Sequence, residues 1–350
     1  MASINLQGDT SGSISISAPS VAGSNTLTLP ATTQTLATQN SLGVRNLIIN
    51  GDMRIAQRGT SAVTTNLSFP VDRWTMYNSG GTFTAQQQTF TLGDAPDSRL
   101  QNYVRLTRSS PSGILYFTQK IEDVINSNNV TVTVSFYAKA NTDITVPVRL
   151  VQVFGSGGST AVTVDSINNS VTSSWQRFTA TFTCPSLSGK TIGTSSYLEL
   201  TFDTPDTYST LDITGVQLEV GTEATPFEHR PYDMELARCQ RYYEKSYSVT
   251  AAPGSSDAIV TNVNPLNRGG GTGAVGYPIY YRVSKRANPT VTPYTYDGTS
   301  GQWHNGVIGS SEAKGNATIE DAGTNYFKVV VLYSVTPNAI YGHWVSSAEL

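Results

Sequence analysis

Cysteine, histidine and charge are all scarce in this sequence. Two cysteines in 350 residues, Cys184 and Cys239, exclude a disulfide framework and read as small buried hydrophobes. A bridge between them would need Cα atoms within about 7 Å. The histidines are His229, His304 and His343, and no two cysteines stand at ligand spacing, so no zinc site is expected. Charged residues make up 13%, the formal net charge is -3, and the 22 lysines and arginines are scattered instead of forming a stripe. That distribution argues against a nucleic-acid groove. No segment approaches the ~20 apolar residues that span a bilayer, and MASINLQGDTSG has no basic head followed by an apolar run. Neither membrane insertion nor an export signal is expected, and maturation in a reducing compartment follows. There is no G-x-S-x-G elbow and no H-E-x-x-H, while NRGGGTG has glycines without the lysine and helix of a phosphate loop. The expectation is a protein without cofactor, metal or catalytic residues.

Serine, threonine and glycine fill the gap, and β-branched and aromatic residues recur throughout, which suits a β-rich fold and not a disordered chain. Residues 1–42 carry SISIS and TLTLP, with Ile14, Ile16, Leu27 and Leu29 at period two between turn residues. Strands so few and short make no core of their own and call for copies or a docking partner. Residues 44–232 read as a β-sandwich. In VTVTVSFYAKA, Val132, Val134, Phe136 and Ala138 face inward; Phe178, Ala180 and Phe182 do so in SWQRFTATFT, as do Leu198, Leu200 and Phe202 in YLELTFD. In LDITGVQLEV the apolar phase switches from Leu211 and Ile213 to Val216, Leu218 and Val220, which predicts a β-bulge at Gly215. Trp74 and Trp175 are expected in the core.

One helix is expected, over 233–247. Asp233 stands where it can cap the first turn, and Tyr232, Leu236, Cys239 and Tyr243 fall on one helical face. A short helix needs that stripe covered, so Leu236, Cys239 and Tyr243 are candidate contacts between copies. Residues 248–350 return to short strands and predict a second, distal β-sandwich-like domain. No 20- to 50-residue repeat appears.

Candidate binding residues are aromatic rings among hydrogen-bonding groups, since a flat sugar face stacks on a ring while polar neighbours bond its hydroxyls. Tyr137 with Lys139, and Tyr197 with Glu199 and Asp203, meet that description on the wet faces of their strands; an ordinary solvated face is the plainer reading. Glu199 and Asp203, four apart on a strand, stand about 13 Å from each other, beyond the ~5–9 Å of a glycosidase pair. The distal cluster is denser: Tyr294, Tyr296, Trp303, His304, Tyr326, His343 and Trp344. Alternation places one member of each Trp-His pair in the core, and the rings from Tyr296 to His304 are expected on an exposed loop.

NLIINGDMRIAQRGTS at 46–61, FPVDRW at 69–74 and GVQLEVGTEATPFEHRP at 215–231, followed by ARCQRYYEKSY, resemble bacteriophage and prophage tail-fibre proteins with a carbohydrate-binding-module-like jelly roll. The opening INLQGDTSGSISISAPSVAGSNTLTLPATTQTLAT and the closing KRANPTVTPYTYDGTSGQ are similar to the first and distal segments of such proteins. The resemblance implies a homotrimer in the virion, docked through residues 1–42 on a tail or baseplate protein and presenting its distal domain to host surface polysaccharide or lipopolysaccharide. A capsid fibre or decoration protein without receptor role, and a polysaccharide depolymerase, are the alternatives. The chain lacks the long shaft repeats of large fibres.

Overall fold

The structure is a computed structural model that describes residues 3–7, 11–17, 45–110, 113–204, 210–256, 261–263, 273–306, 313–333 and 339–350. It has two compact units, Met1–Gly43 and Val44–Leu350. In the first, β1 (Ser3–Gln7) and β2 (Ser13–Ser17) form an antiparallel hairpin with Ile4 opposite Ile16 and Leu6 opposite Ile14. The expected TLTLP strand and the NRGGGTG loop, up to residue 272, lie outside the described residues.

Two antiparallel sheets make the sandwich. β3 (Ser68–Val71), β4 (Trp74–Asn78), β7 (Leu115–Glu122), β9 (Ile144–Val153), β10 (Val162–Val171) and β12 (Tyr197–Thr204) form one, in the order β10-β9-β12-β7-β4-β3. β5 (Phe83–Thr89), β6 (Asn102–Arg108), β8 (Thr131–Ala140), β11 (Gln176–Thr183) and β13 (Thr210–Val220) form the other, in the order β11-β8-β13-β6-β5. The chain crosses repeatedly between the sheets, giving the expected jelly-roll β-sandwich. The period-two residues fill the space between them: Trp74 stacks on Phe117 of its own sheet at 4.6 Å, and Phe136 meets Phe202 of the facing sheet edge-on at 4.9 Å. The bulge falls where the phase change predicts it. Pairing of β13 with β8 slips between Thr214 and Gln217, and Gly215 has φ +60°, where a side chain would also strike the Tyr137 ring. Leu211, Ile213, Val216 and Leu218 thereby share the core, whereas Val220 lies past its edge, exposed.

The stretches that carry the family resemblance converge on one buried polar knot. The Asn46 amide donates to Val216 O and accepts from Leu218 N–H; Asn50 donates to Ile55 O and Asp72 O and accepts Trp74 Nε1–H at its own carbonyl. Gly51 lies against Val216 O, where any Cβ would collide. Arg230 donates to Ile48 O and pairs with Glu235 at 3.1 Å, and the Glu235 carboxylate also accepts Asn50 N–H. These side chains satisfy backbone groups of irregular segments that no ladder could serve.

The helix α1 (Tyr232–Gln240) is shorter than expected. Pro231 occupies its N-cap and offers no side-chain acceptor, so Asp233 sits within the first turn, exposed, and acts there only on the helix dipole. After Arg241 the chain turns into β14 (Tyr243–Lys245), because pairing with the last strand satisfies its backbone better than another helical turn would. Cys239 and Tyr243 are buried within their own chain and Leu236 is half-buried. Cys239 and Tyr243 therefore have no surface to offer a second copy. Both cysteines are free thiols.

The remaining strands are β15 (Thr261–Val263), β16 (Gly273–Tyr280), β17 (Thr290–Tyr294), β18 (Gln302–Gly306), β19 (Ala313–Glu320), β20 (Tyr326–Tyr333) and β21 (Ala339–Ser347). β21 pairs with β14 and β17 along one half and with β15 and β18 along the other, and the sheet continues through β19 and β20 to β16. Its core is Trp303, Phe327, Val329, Val331, Ile340 and Trp344. It packs on the sandwich through a paired seam. Glu349 bonds both Arg58 and Arg73, Gln57 Nε2 donates to Asp72 and to Tyr243 O, and Glu122 accepts from Arg241 and Tyr242. The Arg73 guanidinium lies 3.5 Å from the Tyr242 ring centre, and that of Arg58 sits 4.0 and 3.7 Å from the Phe69 and Tyr243 rings.

Candidate functional site

β6, β13 and β8 are neighbours, and their register aligns Arg105, Asp212 and Lys139 in one row on the outer face of the five-stranded sheet. Arg105 grips Asp212 with two bonds of 2.8 Å, from Nε and Nη2, and its Nη2 also lies 3.3 Å from Tyr103 OH. Lys139 Nζ stands 3.9 Å from Asp212 and 5.3 Å from the Trp175 ring centre. The bonds to Asp212 hold the Arg105 guanidinium firmly charged, while burial and the neighbouring Asp212 raise the Tyr103 phenol above its ordinary value, so it stays protonated as a donor.

Three rings gather beside this row. Phe90 lies 4.8 Å from Tyr103 and 5.3 Å from Trp175, and Tyr103 meets Trp175 at 5.5 Å and 77°. With Thr89, Thr91, Asp94 and Lys139 they line a cleft of about 300 Å³, at the small end of ligand pockets. Trp175 is thus not a core anchor. It sits half-buried in the turn ahead of β11, where its ring reaches over the sheet's outer face. Its indole faces, one ammonium, one carboxylate and two threonine hydroxyls give the cleft the mixed character that a polyhydroxylated ring requires: apolar area for C–H faces and short-range donors and acceptors around it.

The sequence-derived candidates are distributed differently. Tyr137 is half-buried and covers the Gly215 bulge, two residues from Lys139 in the cleft. Tyr197, Glu199 and Asp203 are half-buried on the opposite sheet, with Lys120 Nζ 4.8 Å from the Tyr197 ring centre, Glu199 accepting from Thr201 and Asp203 paired with Arg149 at 3.2 Å. Both carboxylates are engaged separately. In the distal sheet Trp303 is 0% exposed, His304 2% and Trp344 5%, so all three expected binders are interior. Both members of each Trp-His pair are buried because β18 and β21 have covered faces on both sides. Trp303 packs on Gly342 and donates to His343 O, while His304 clusters with Tyr296 and Tyr341, 4.7 and 5.2 Å from their rings. Tyr294 is half-buried, 6.2 Å from the Tyr247 ring, which stacks on His343 at 3.8 Å. Among the described residues, the rings that this sheet exposes are Tyr280, at 71%, and Tyr326, 5.8 Å apart.

Phe90, Tyr103 and Asp94 escaped the sequence reading. Their only signal was an aromatic residue flanked by threonines at the end of a strand, Thr89-Phe90-Thr91; its strand pairs locally with β6, and it is the ring of Trp175, far along the chain, that completes the cleft.

No family model matches the chain, and no curated protein does either. Among solved structures the chain is similar to the enzymatically active domain of bacteriophage CBA120 tailspike protein 4, at 19% identity and a TM-score of 0.35 over 50% of this chain and 21% of that one. It thus spans about a fifth of that domain's length. It is also similar to the N-terminal cellulose-binding domain of Cellulomonas fimi β-1,4-glucanase C, at 18% and 0.30 over 43% and 90%. A third likeness is to a Stig cyclase from Fischerella sp. TAU, at 13% and 0.36 over 52% and 99%. At such identities and scores none of these transfers a function to this chain.

Proposed function

We propose that the protein binds carbohydrate reversibly in the cleft of Phe90, Tyr103 and Trp175, and that it does so as a homotrimeric tail-fibre adhesin of a phage virion, without catalysis. The observation that carries the binding reading is the juxtaposition of three rings with the Arg105–Asp212–Lys139 row. A sugar ring laid on Trp175 buries its C–H face, and its hydroxyls meet Lys139, Asp94 and the threonines. Because Arg105 and Asp212 neutralise each other, the site presents one ammonium and one carboxylate, Lys139 and Asp94, and little net charge, which suits neutral glycans. The adhesin and virion parts rest on the motif resemblance at 46–61, 69–74 and 215–231. The trimer rests also on the β1–β2 hairpin, whose two strands are too few to form an independent core. Three weak sites on one particle would gain ~10²- to 10⁴-fold in avidity.

An array of delipidated bacterial surface polysaccharides tests the reading. The full-length protein should bind a subset, and Trp175→Ala should weaken that binding at least tenfold with an unchanged circular dichroism spectrum. Undiminished binding by the variant would remove the cleft from the account, and new reducing ends released from the bound polysaccharide would replace adhesion by depolymerisation.

A further inference from the structure

The sandwich has a second outer face, and its register repeats the chemistry of the cleft with different residues. β4, β7 and β12 are neighbours in the six-stranded sheet, and pairing puts Tyr77 beside Tyr116 and Tyr116 beside Asp203. The two tyrosine rings are nearly parallel, 17° apart in plane and 5.8 Å between centres. Tyr77 keeps 40% of its surface exposed. From β9, the Arg149 guanidinium lies 4.8 Å from the Tyr116 ring centre and donates to Asp203 at 3.2 Å. Each outer face therefore holds tyrosine next to an arginine–aspartate pair that bridges strands: Tyr103 with Arg105 and Asp212 on one, Tyr116 with Arg149 and Asp203 on the other. None of these four charges contributes to the apolar core, and both pairs are partly open to solvent.

Resting on the carbohydrate reading above, we propose that Tyr77, Tyr116, Arg149 and Asp203 form a second glycan-binding platform, so that one chain holds two glycan segments on opposite faces. The cation–π contact and ion pair fix the Arg149 and Asp203 groups in place before any ligand arrives, so little side-chain freedom remains to be lost on binding. The exposed ring of Tyr77 supplies the apolar contact, and the Arg149–Asp203 pair supplies a donor and an acceptor beside it. The two platforms point away from each other across sheets about 10 Å apart. A short oligosaccharide cannot reach both, and two strands of a surface polysaccharide can be bridged by a single chain.

Stoichiometry decides this. The full-length protein is titrated calorimetrically with a hexasaccharide cut from the polysaccharide bound most strongly on the array. The expected result is two sites per chain. Trp175→Ala should leave one, Tyr77→Ala with Arg149→Ala should leave the other, and each loss should be at least tenfold in affinity with the spectrum unchanged. One site per chain, insensitive to the Tyr77 and Arg149 substitutions, overturns the second platform and leaves the cleft standing. Two sites that persist in the Tyr77 and Arg149 variant overturn it as well. Absence of all binding removes both readings together.

Discussion

Asp72 shows how far a single residue's environment departs from what its letter suggests. It is buried at the seam between the sandwich and the distal sheet, accepting from Gln57 N–H and Gln57 Nε2, with Arg58 3.8 Å away and Glu349 and Cys239 close by. Burial outweighs these partners and lifts its carboxyl from 3.8 to about 6. A raised carboxyl binds its proton more tightly in the folded state, so its stabilising contribution is complete below about pH 4 and is lost as pH rises through about 6. The loss is on the order of 3 kcal/mol for a shift of this size. Urea unfolding at pH 4, 5.5 and 7.5 should show the wild type losing stability across that window relative to Asp72→Asn. Parallel pH dependences in the two proteins would refute the assignment.

Among the elements, α1 is the most informative, because sequence and structure agree on its existence and differ on what holds it. An amphipathic stripe and an aspartate cap are the sequence's account. In the structure a buried carboxylate, Glu235, ties the helix to Asn50 N–H and to Arg230, while Asp233 stays in solvent. Removing one partner of a buried pair leaves an uncompensated charge and costs ~3–5 kcal/mol. Glu235→Ala should accordingly lower the unfolding free energy by roughly that amount, and Asp233→Ala by less than about 0.5 kcal/mol, both measured by denaturant titration. Equal effects from the two would mean that Asp233 caps the helix after all.

At the scale of the whole molecule the helix stripe no longer explains assembly, since Cys239 and Tyr243 are enclosed within their own chain. The proposed trimer must then be sought elsewhere, and the unit Met1–Gly43 is the natural place, with its two-stranded hairpin of alternating apolar and polar positions. Sedimentation velocity should find that deletion of residues 1–43 converts trimers to monomers and that Leu236→Asp does not. A trimer that survives the deletion and falls apart in the Leu236 variant would restore the helix as the contact. The seam of Glu349, Arg58 and Arg73 has a separate consequence. It fastens the distal sheet to the sandwich within Val44–Leu350, so the sheet does not hang from the sandwich by the helix alone.

Period-two alternation determined β8, β11, β12 and β13 and, Val220 apart, their inner residues from the sequence alone, and the phase change in LDITGVQLEV located the Gly215 bulge, because burial of one face leaves only one register open. The same local logic failed for the tryptophans. Trp175 was assigned to the core and lines the cleft, while Trp303 and Trp344 were assigned to binding and lie inside. Sequence distinguishes the two faces of a strand and cannot tell which outer face another layer will cover. Tertiary structure alone decided that, by pairing Arg105, Asp212 and Lys139 from three distant strands, by setting the rings of Tyr296 and Tyr247 against His304 and His343, and by leaving the Trp175 ring half-exposed. The motifs that mark the family resemblance proved to be the polar knot that closes the sandwich, because irregular buried backbone needs particular side chains to satisfy it, whereas a shallow cleft of rings can be assembled from many sequences.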